Sequence, residues 1–427
     1  SMLIGYGVYN PSSLYRVRIL CHQSSHPDMF KRVKNIMTGK EYDVDASRDE
    51  GTIDSATKNE NHVDYAMETI VKKKFRDAIR ARKGLNLPST STDSYRLING
   101  EGDGLSGLAI DILGGRVAVI MSSAAWCEIY KHVIMRAVES VLRSDHPDYF
   151  SDTDNAMKLV WRTTPSRLLQ DGYQQSDDGD DSGSSIDQGE EDTVTIVTEN
   201  SVKYKTFPFD LTSQKTGFYV DQRENRLNLS SYCTGKRVLD LCCYTGGFSL
   251  NAVIHGGASS CVGVDSSQDA INAAIDNAAL NDIPSDSTVE FVRDDITNFM
   301  KNAATKTNED GQYDVIVLDP PKLAPSVSGL ERASRKYHSL NRDAIKLINE
   351  KEGGMLLTCT CSGAMTQKNG GQYFLETVKG AALSAGRQIT LLKSSGAAPC
   401  HTQCPASFPA GAYLTAALFY VSPKTSN

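Results

Sequence analysis

Val238-Leu239-Asp240-Leu241-Cys242-Cys243-Tyr244-Thr245-Gly246-Gly247-Phe248 is the stretch on which the fold turns. An apolar strand runs into an acid and then into a turn with paired glycines. One strand-helix unit later a second strand, Cys261-Val262-Gly263-Val264-Asp265, also ends in an acid. Asp265 lies 25 residues beyond Asp240, a spacing suited to gripping ribose hydroxyls at the tip of the second strand of a nucleotide-binding sheet. No G-x-G-x-x-G follows either of these strands, and nothing else here looks built to hold a pyrophosphate. A cofactor with an adenosine and no phosphate fits better, and S-adenosylmethionine is the common one. A plain doubly wound α/β domain with acids on its loops is the competing reading at this point.

Working outward, strands expected at 238–241, 261–265, 289–293, 314–318, 354–360, 388–393 and 414–421 alternate with helical stretches. This is the pattern of a mostly parallel, seven-stranded Rossmann-like sheet with helices on both faces. Ligands of such sheets sit outside the carboxyl ends of the strands. Two further motifs fall at those ends. Asp314-Val315-Ile316-Val317-Leu318 runs into Asp319-Pro320-Pro321-Lys322, where two prolines stiffen the loop past a buried strand. An acid placed there suits contact with a planar base. Gly354 to Thr360 runs into Cys361-Ser362-Gly363, and the period of two puts Cys359 and Cys361 on one side. Buried cysteines are usually inert filler; a cysteine at the carboxyl end, one loop from Asp319, is placed to be a nucleophile.

Upstream, residues 5–20 read as strands around an Asn10-Pro11 turn, and 41–63 read as a poorly ordered polar insertion. Residues 66–83 read as an amphipathic helix. Met67, Ile70, Val71, Phe75, Ala78 and Ile79 make its apolar stripe, and Lys72, Lys73, Lys74, Arg76, Arg80, Arg82 and Lys83 its basic face. A small α+β unit follows, with strands at 95–98, 108–111, 117–120 and 158–161, a hairpin across Gly114-Gly115, and a helix over 125–143. The expected domains are 1–40, 41–65 as the insertion, 66–170, an acidic linker over 171–193, and 194–427.

The chain of 427 residues carries a formal charge of −7, but eight acids without a base fall in 176–192, so the remainder is near neutral. That balance is compatible with a nucleic-acid partner meeting local basic patches. No apolar run is long enough for a bilayer. The ten cysteines are irregularly spaced and read as reduced thiols. Cys400 and Cys404 lack two further ligands nearby, so no metal is expected. Ser1-Met2 reads as an artificial start with no signal peptide after it, and the expected compartment is the cytoplasm, or an organelle for a eukaryotic source.

These motifs together resemble the bacterial-type single-chain 23S ribosomal RNA 5-methylcytosine methyltransferases. The resemblance spans nearly the whole chain. It rests on Asn10-Pro11 with Arg16-Val17-Arg18, Ser94 to Ile98 with Gly100-Glu101 and Asp103-Gly104-Leu105, and Lys215-Thr216-Gly217-Phe218-Tyr219 with Asp221-Gln222-Arg223. Tyr244 to Phe248, Phe291 to Asp295, Leu318 to Lys322 and Cys361-Ser362-Gly363 complete it. The resemblance implies an N-terminal PUA domain, of which only the last strands are present here, a central α+β domain and a class I methyltransferase domain. The insertions at 41–63 and 176–192 and the extra Cys359 depart from the family pattern.

It further implies that Lys215, Phe218, Tyr219, Asp221 and Arg223 line the S-adenosylmethionine site. Asp240 with Tyr244, Thr245, Gly246, Gly247 and Phe248 would form the loop under the methionine part. Asp265 would hold the ribose, Asp295 the adenine amino group and Asp319 the target base, with Cys361 as nucleophile. The implied partner is RNA, large-subunit ribosomal RNA above all; the oligomeric state is open, a homodimer being one option. The chemistry agrees with these residue types. Carbon 5 of cytosine is a poor nucleophile, and addition of a partly ionised thiol at carbon 6 turns the ring into an enamine. An RNA base-nitrogen methyltransferase and an S-adenosylmethionine-binding RNA-interaction module without turnover are the alternatives, and neither needs Cys361.

Overall fold

The computed structural model describes residues 3–40, 55–152, 156–174, 194–210, 217–305, 312–324 and 326–424, with side chains described from 62 onward in the helix that begins at Ser55. Lys215 and most of the expected acidic linker lie outside the described residues.

The chain begins with an antiparallel hairpin, β1 (Gly5–Tyr9) and β2 (Val17–His22), followed by α1 (Pro27–Met37) and α2 (Ser55–Gly84). Helix α2 starts eleven residues before the expected 66, so 55–65 is helix and not insertion. The whole expected apolar stripe of α2 is buried. Its basic face departs from expectation. Lys74 and Arg82 are buried too, because the helix is covered on more than its apolar side. Lys74 Nζ meets His26 Nε2 at 3.0 Å, and burial holds its ammonium below the usual lysine range.

The middle unit is a four-stranded sheet, β3 (Tyr95–Asn99), β4 (Leu108–Leu113), β5 (Val117–Ser122) and β6 (Lys158–Thr163), in that spatial order. Strands β3, β4 and β5 pair antiparallel, and β6 joins β5 in parallel. The expected single helix over 125–143 is two, α3 (Ala125–Ile129) and α4 (Lys131–Asp145), and α5 (Pro165–Gln170) follows β6. Asp171, expected to open the linker, is instead buried. It accepts from Arg18 Nη2 at 2.6 Å and from the Ala125 N–H at 2.8 Å, pinning the N-terminal hairpin to this unit.

A further hairpin, β7 (Thr195–Glu199) and β8 (Val202–Thr206), leads to α6 (Arg223–Ser230). The large sheet then follows: β9 (Arg237–Leu241), α7 (Gly247–Ile254), β10 (Ser260–Asp265), α8 (Gln268–Ala279), β11 (Thr288–Arg293), α9 (Ile296–Ala304), β12 (Val315–Leu318), α10 (Leu330–Lys346), β13 (Gly354–Thr360), α11 (Gly363–Gln367), α12 (Gln372–Ser384), β14 (Ile389–Ser395) and β15 (Thr415–Val421). All seven strands fall within one or two residues of the expected spans. Their order is β11-β10-β9-β12-β13-β15-β14, parallel except for β15, which runs antiparallel to both neighbours.

Alternation along each strand sorts the core into two faces. Ile316, Leu318, Leu356, Ala417 and Phe419 pack with Tyr337 of α10 and Phe374 of α12. Val315, Val317, Leu357, Cys359, Ala416 and Leu418 pack on the other face with Leu229 of α6 and Phe248 of α7. Strand order reverses between β9 and β12, so the connections leave these neighbours in opposite directions and a crevice opens above their carboxyl ends.

The loop between β14 and β15 clamps the middle unit to this sheet. Arg82 donates to both oxygens of Asp103, at 2.5 and 2.8 Å, and to the Cys400 carbonyl at 2.6 Å. Thr402 Oγ1 donates to Asp103 Oδ2 at 2.8 Å. Removing one partner of such a buried pair costs about 3–5 kcal/mol.

Candidate active site

The crevice above β9 and β12 is a cavity of about 730 Å³. Its floor is the loop after β9. Cys242 and Tyr244 both take left-handed backbone conformations, φ +65° and +50°. For residues with a Cβ this costs roughly 1–2 kcal/mol each, and the end of β10 holds them there. The Cys242 and Cys243 N–H groups donate to the Val264 carbonyl at 2.9 and 3.0 Å, and the Tyr244 N–H donates to Asp265 Oδ2 at 3.0 Å. The paired glycines serve close packing. A Cβ on Gly246 would lie 2.8 Å from the Phe291 ring, and one on Gly247 would lie 2.7 Å from Arg226 Nε.

One end of the cavity is walled by Asp265, Ser266, Ser267, Asp295, Ile296 and Thr297. Asp265 Oδ1 accepts from the Ser267 N–H at 3.0 Å. Asp295 caps α9, its Oδ1 accepting from the Thr297 and Asn298 N–H groups at 2.8 and 3.2 Å. What little burial it has opposes ionisation, but those N–H groups prevail and hold its carboxyl below the usual range.

At the other end, Asp319 and Cys361 line the same cavity from the tips of adjacent strands. Burial, then the charges of Asp221 and Asp240, push the Asp319 carboxyl up to about 7. Burial, then Asp319 and Asp221, push the Cys361 thiol up to about 11, against the pull of Lys322. The expected partly ionised thiol is therefore corrected. In the protein alone Cys361 holds its proton at neutral pH, because carboxylates and apolar surroundings both disfavour a thiolate. Ser362 Oγ accepts from the Ala324 N–H at 3.1 Å, and Tyr337 Oη lies 2.8 Å from Thr360 Oγ1. The first bond ties the loop after Asp319 to the end of β13, and the second ties α10 there.

A model of the S-adenosylmethionine-dependent methyltransferase family matches residues 160–386, more than half of the chain. The chain belongs to this family. "Ribosomal RNA large subunit methyltransferase I" of Escherichia coli O139:H28 is 34% identical over 346 residues, which are 80% of this chain and 76% of that protein. The protein of the same name from Shigella boydii serotype 18 matches to the same extent. A structure assigned to the SAM-dependent methyltransferases, from Streptococcus mutans, superposes with a TM-score of 0.63 at 22% identity, covering 83% of this chain and 81% of that one. A further structure, solved as a complex with SAH, gives 0.62 at 22% identity, with the same coverage. At this identity the structures speak for the fold.

The cofactor of this methyltransferase is S-adenosylmethionine, and the cavity wall suits it. Asp265 and Asp295 present acceptors for hydroxyl and amino hydrogens and repel a phosphate. Asp221 and Asp319 favour a cationic guest further along. Tyr219 and Tyr244, with ring centroids 5.1 Å apart, face the same space.

The structure brings most of the named residues to this cavity, with exceptions. Tyr219, Asp221, Tyr244, Thr245, Gly247, Phe248, Asp265, Asp295, Asp319 and Cys361 line it. Asp240 lies beneath the loop, fully buried, its Oδ2 accepting from the Ser249 N–H and Oγ at 3.0 and 2.7 Å. Gly246 shapes the turn without reaching the wall. Phe218 does not line the cavity. It is packed in the core against Tyr204, 4.7 Å between ring centroids, because the hairpin β7–β8 folds over it. Arg223 is also turned away, donating to Glu224 Oε1 at 2.8 Å and to Cys400 Sγ at 3.6 Å. Arg226, three residues on and on the neighbouring face of α6, takes the wall position; it donates to Glu199 Oε1 at 2.7 Å.

Sequence reasoning missed Gln222, Arg226, Lys336 and Tyr413. The helical spacing of Arg223 and Arg226 was a usable signal for the second. Tyr413, whose hydroxyl donates to Asp221 Oδ2 at 2.7 Å, comes from the loop before the last strand and left no local signal. Cys359 sits one layer below Cys361, fully buried among Val317, Leu357 and Ala416. Among the described residues no His, Cys, Asp or Glu cluster has metal-binding geometry, and no helix is long and apolar enough to cross a membrane. All ten cysteines are free thiols.

Proposed function

We propose that this methyltransferase forms 5-methylcytosine in large-subunit ribosomal RNA, with Cys361 as covalent nucleophile and Asp319 as its proton partner. The observation that carries the reading is the pair itself: a thiol and a half-buried carboxyl on one cavity wall, from adjacent strand tips, beyond the loop suited to the cofactor. The substrate class rests on the relatives named ribosomal RNA large subunit methyltransferase I. A base-nitrogen methyltransferase has no use for the thiol.

When bound, S-adenosylmethionine supplies a methyl group on an electrophilic sulfonium. The residues supply the rest. Between about pH 7 and 11 the pair carries one proton, on Cys361, with Asp319 ionised. Asp319 takes the thiol proton as Sγ bonds to carbon 6 of cytosine, and passes it to N3, where negative charge would otherwise build. Carbon 5 is then an enamine carbon and nucleophilic. After methylation carbon 5 gives up its proton to water in the cavity, and the N3 proton returns through Asp319 to Sγ as the C6–S bond breaks, which restores the free thiol. Asp265 and Asp295 hold the adenosine part, and Asp221 and Arg226 border the remainder.

We also read residues 1–40 as a PUA-like remnant and α2 as a source of non-specific RNA affinity. The pairing of Lys72 with Glu68 and of Lys73 with Asp77 tempers the second reading. Mapping 5-methylcytosine in ribosomal RNA from cells with and without the gene tests the reaction. Loss of one site in large-subunit RNA is expected, and an unchanged map, or loss of an N-methylated base instead, overturns it.

A further inference from the structure

Asp319 is braced by a chain of amides that the reaction as described does not use. Asn225 Nδ2 donates to the Gly396 carbonyl at 3.1 Å and to Gln222 Oε1 at 2.6 Å. Gln222 Nε2 donates to Asp319 Oδ2 at 3.0 Å. Gln222 and Asn225 are each 5% exposed, so water does not compete for these bonds. The directions follow from chemistry. A carbonyl only accepts, so Asn225 must turn its NH₂ toward Gly396 and, with the second hydrogen, toward Gln222. Gln222 must then present its oxygen to Asn225 and its NH₂ to Asp319. Asp319 Oδ1 has no protein partner among the described residues, and Asp319 lines the cavity.

We propose that Gln222 is a positioning residue for the transfer: its amide, aligned by Asn225, occupies Oδ2 of Asp319 and reserves Oδ1 as the oxygen that exchanges a proton with the cavity. An oxygen that accepts a strong N–H bond is the better carbonyl oxygen of the protonated acid, so the proton sits on Oδ1. An amide does not titrate, so Gln222 orients Asp319 without drawing off its proton. A second carboxyl in that place would share it. The other charges facing Asp319 are Asp221 and Asp240, which favour its protonation, and Arg226, which opposes it. Cys361 lies beside it on the wall, Cys242 and Lys322 line the same cavity, and Cys359 lies beneath, against Gln222. The Gln222 bond stabilises the carboxylate, so losing it moves the Asp319 titration upward.

This inference rests on the proposed role of Asp319, and the test separates the two. The Asp319 side chain is followed by carboxyl ¹³C NMR titration of the full chain, assigned by its absence in Asp319→Asn. Gln222→Leu removes the donor. Asn225→Leu, near-isosteric and uncharged, removes the donor that holds Gln222 Oε1 and lets the amide turn its oxygen toward Asp319. Each is expected to raise the midpoint by about 1–2 pH units, the size of one bond to a charged group. The acid limb of kcat/KM should move up by the same amount. The double variant should shift no further than Gln222→Leu alone, since Asn225 acts through Gln222. Calorimetric titration with S-adenosylmethionine reports whether each variant keeps its fold, and Asn225→Leu carries the test should Gln222→Leu not bind. An unchanged midpoint in Asn225→Leu, or additive shifts in the double variant, overturns the inference. Shifted midpoints without a shifted rate limb uphold the amide chain and overturn the role of Asp319 instead.

Discussion

The two ends of the cavity are built from the same residue type at the same sheet edge, yet they hold protons differently. At the end formed by the tips of β10 and β11, Asp295 caps a helix and backbone N–H groups hold its carboxyl below the usual range. Asp265 accepts from two N–H groups, those of Tyr244 and Ser267. At the end formed by β12 and β13, burial and then two further carboxylates push Asp319 up to about 7, against its one amide bond. Carboxylates that stay charged can grip a neutral partner, whereas one poised near neutrality can pass a proton. Residue identity does not separate these roles; the number of N–H donors and the depth of burial do.

Removing the thiol should break the contrast most sharply. Cys361→Ala is expected to lower methylation on the order of 10³-fold or more while leaving S-adenosylmethionine affinity nearly unchanged. RNA carrying 5-azacytidine should form a covalent adduct with the wild type and none with this variant, because nitrogen at position 5 blocks the elimination step. Cys359→Ala, one layer down, should keep both activities. A Cys361→Ala enzyme that still makes 5-methylcytosine moves the reading to another acceptor atom or another thiol.

The β10–β11 end is expected to respond in affinity. Asp265→Ala should weaken S-adenosylmethionine binding by about 1–3 kcal/mol, seen by calorimetry. Asp265→Asn retains an acceptor for the Tyr244 N–H, so a smaller loss in that variant assigns the difference to the carboxylate charge and not to the loop. Equal affinity in both variants and the wild type removes Asp265 from the site.

The pH dependence sharpens the comparison at the β12–β13 end. The pair must lose its first proton to act, and that proton comes from Asp319, so kcat/KM should fall below about pH 7 by tenfold per unit. A profile flat from pH 5 to 8 contradicts the proton transfer. Stability should show the converse. The folded carboxyl titrates near 7, above its ordinary value, so its contribution is fully present below about pH 4 and is lost as pH rises through 7. Asp319→Asn is therefore expected to be more stable than the wild type by about 1–2 kcal/mol at pH 8, a figure reduced for partial exposure, and equal to it near pH 4. Denaturant titrations at the two pH values measure this.

The smallest effect is expected far from the cavity. Changing Lys72, Lys73 and Arg76 together to Glu should weaken RNA binding a few-fold at low salt and flatten its salt dependence. Neighbouring acids already engage these cations. An unchanged salt slope makes this face of α2 merely solvated.

Much of this architecture is local, and local features are legible in a sequence. Seven buried strands appear as short apolar runs, and their acids, glycines and thiol fall at strand ends by counting. That is enough to place Asp265, Asp319 and Cys361 on one edge of one sheet, since parallel strands linked by helices all point their carboxyl ends the same way. Tertiary structure decided what depends on sums over distant neighbours. Lys74 and Arg82 look like solvated cations by helical periodicity and are buried because α1, the 100–104 turn and the 400–402 loop cover them. Arg223 and Arg226 differ by three residues, and only the hairpin β7–β8, which supplies Glu199, puts the second at the wall. A carboxyl beside an apolar strand end already signals a raised Asp319 pKa, but the extent of the rise and the proton held by Cys361 were not legible. Burial sets them first, followed by the charges of Asp221 and Asp240 at Asp319 and of Asp319 and Asp221 at Cys361, and charge at such a site is the sum of what surrounds it.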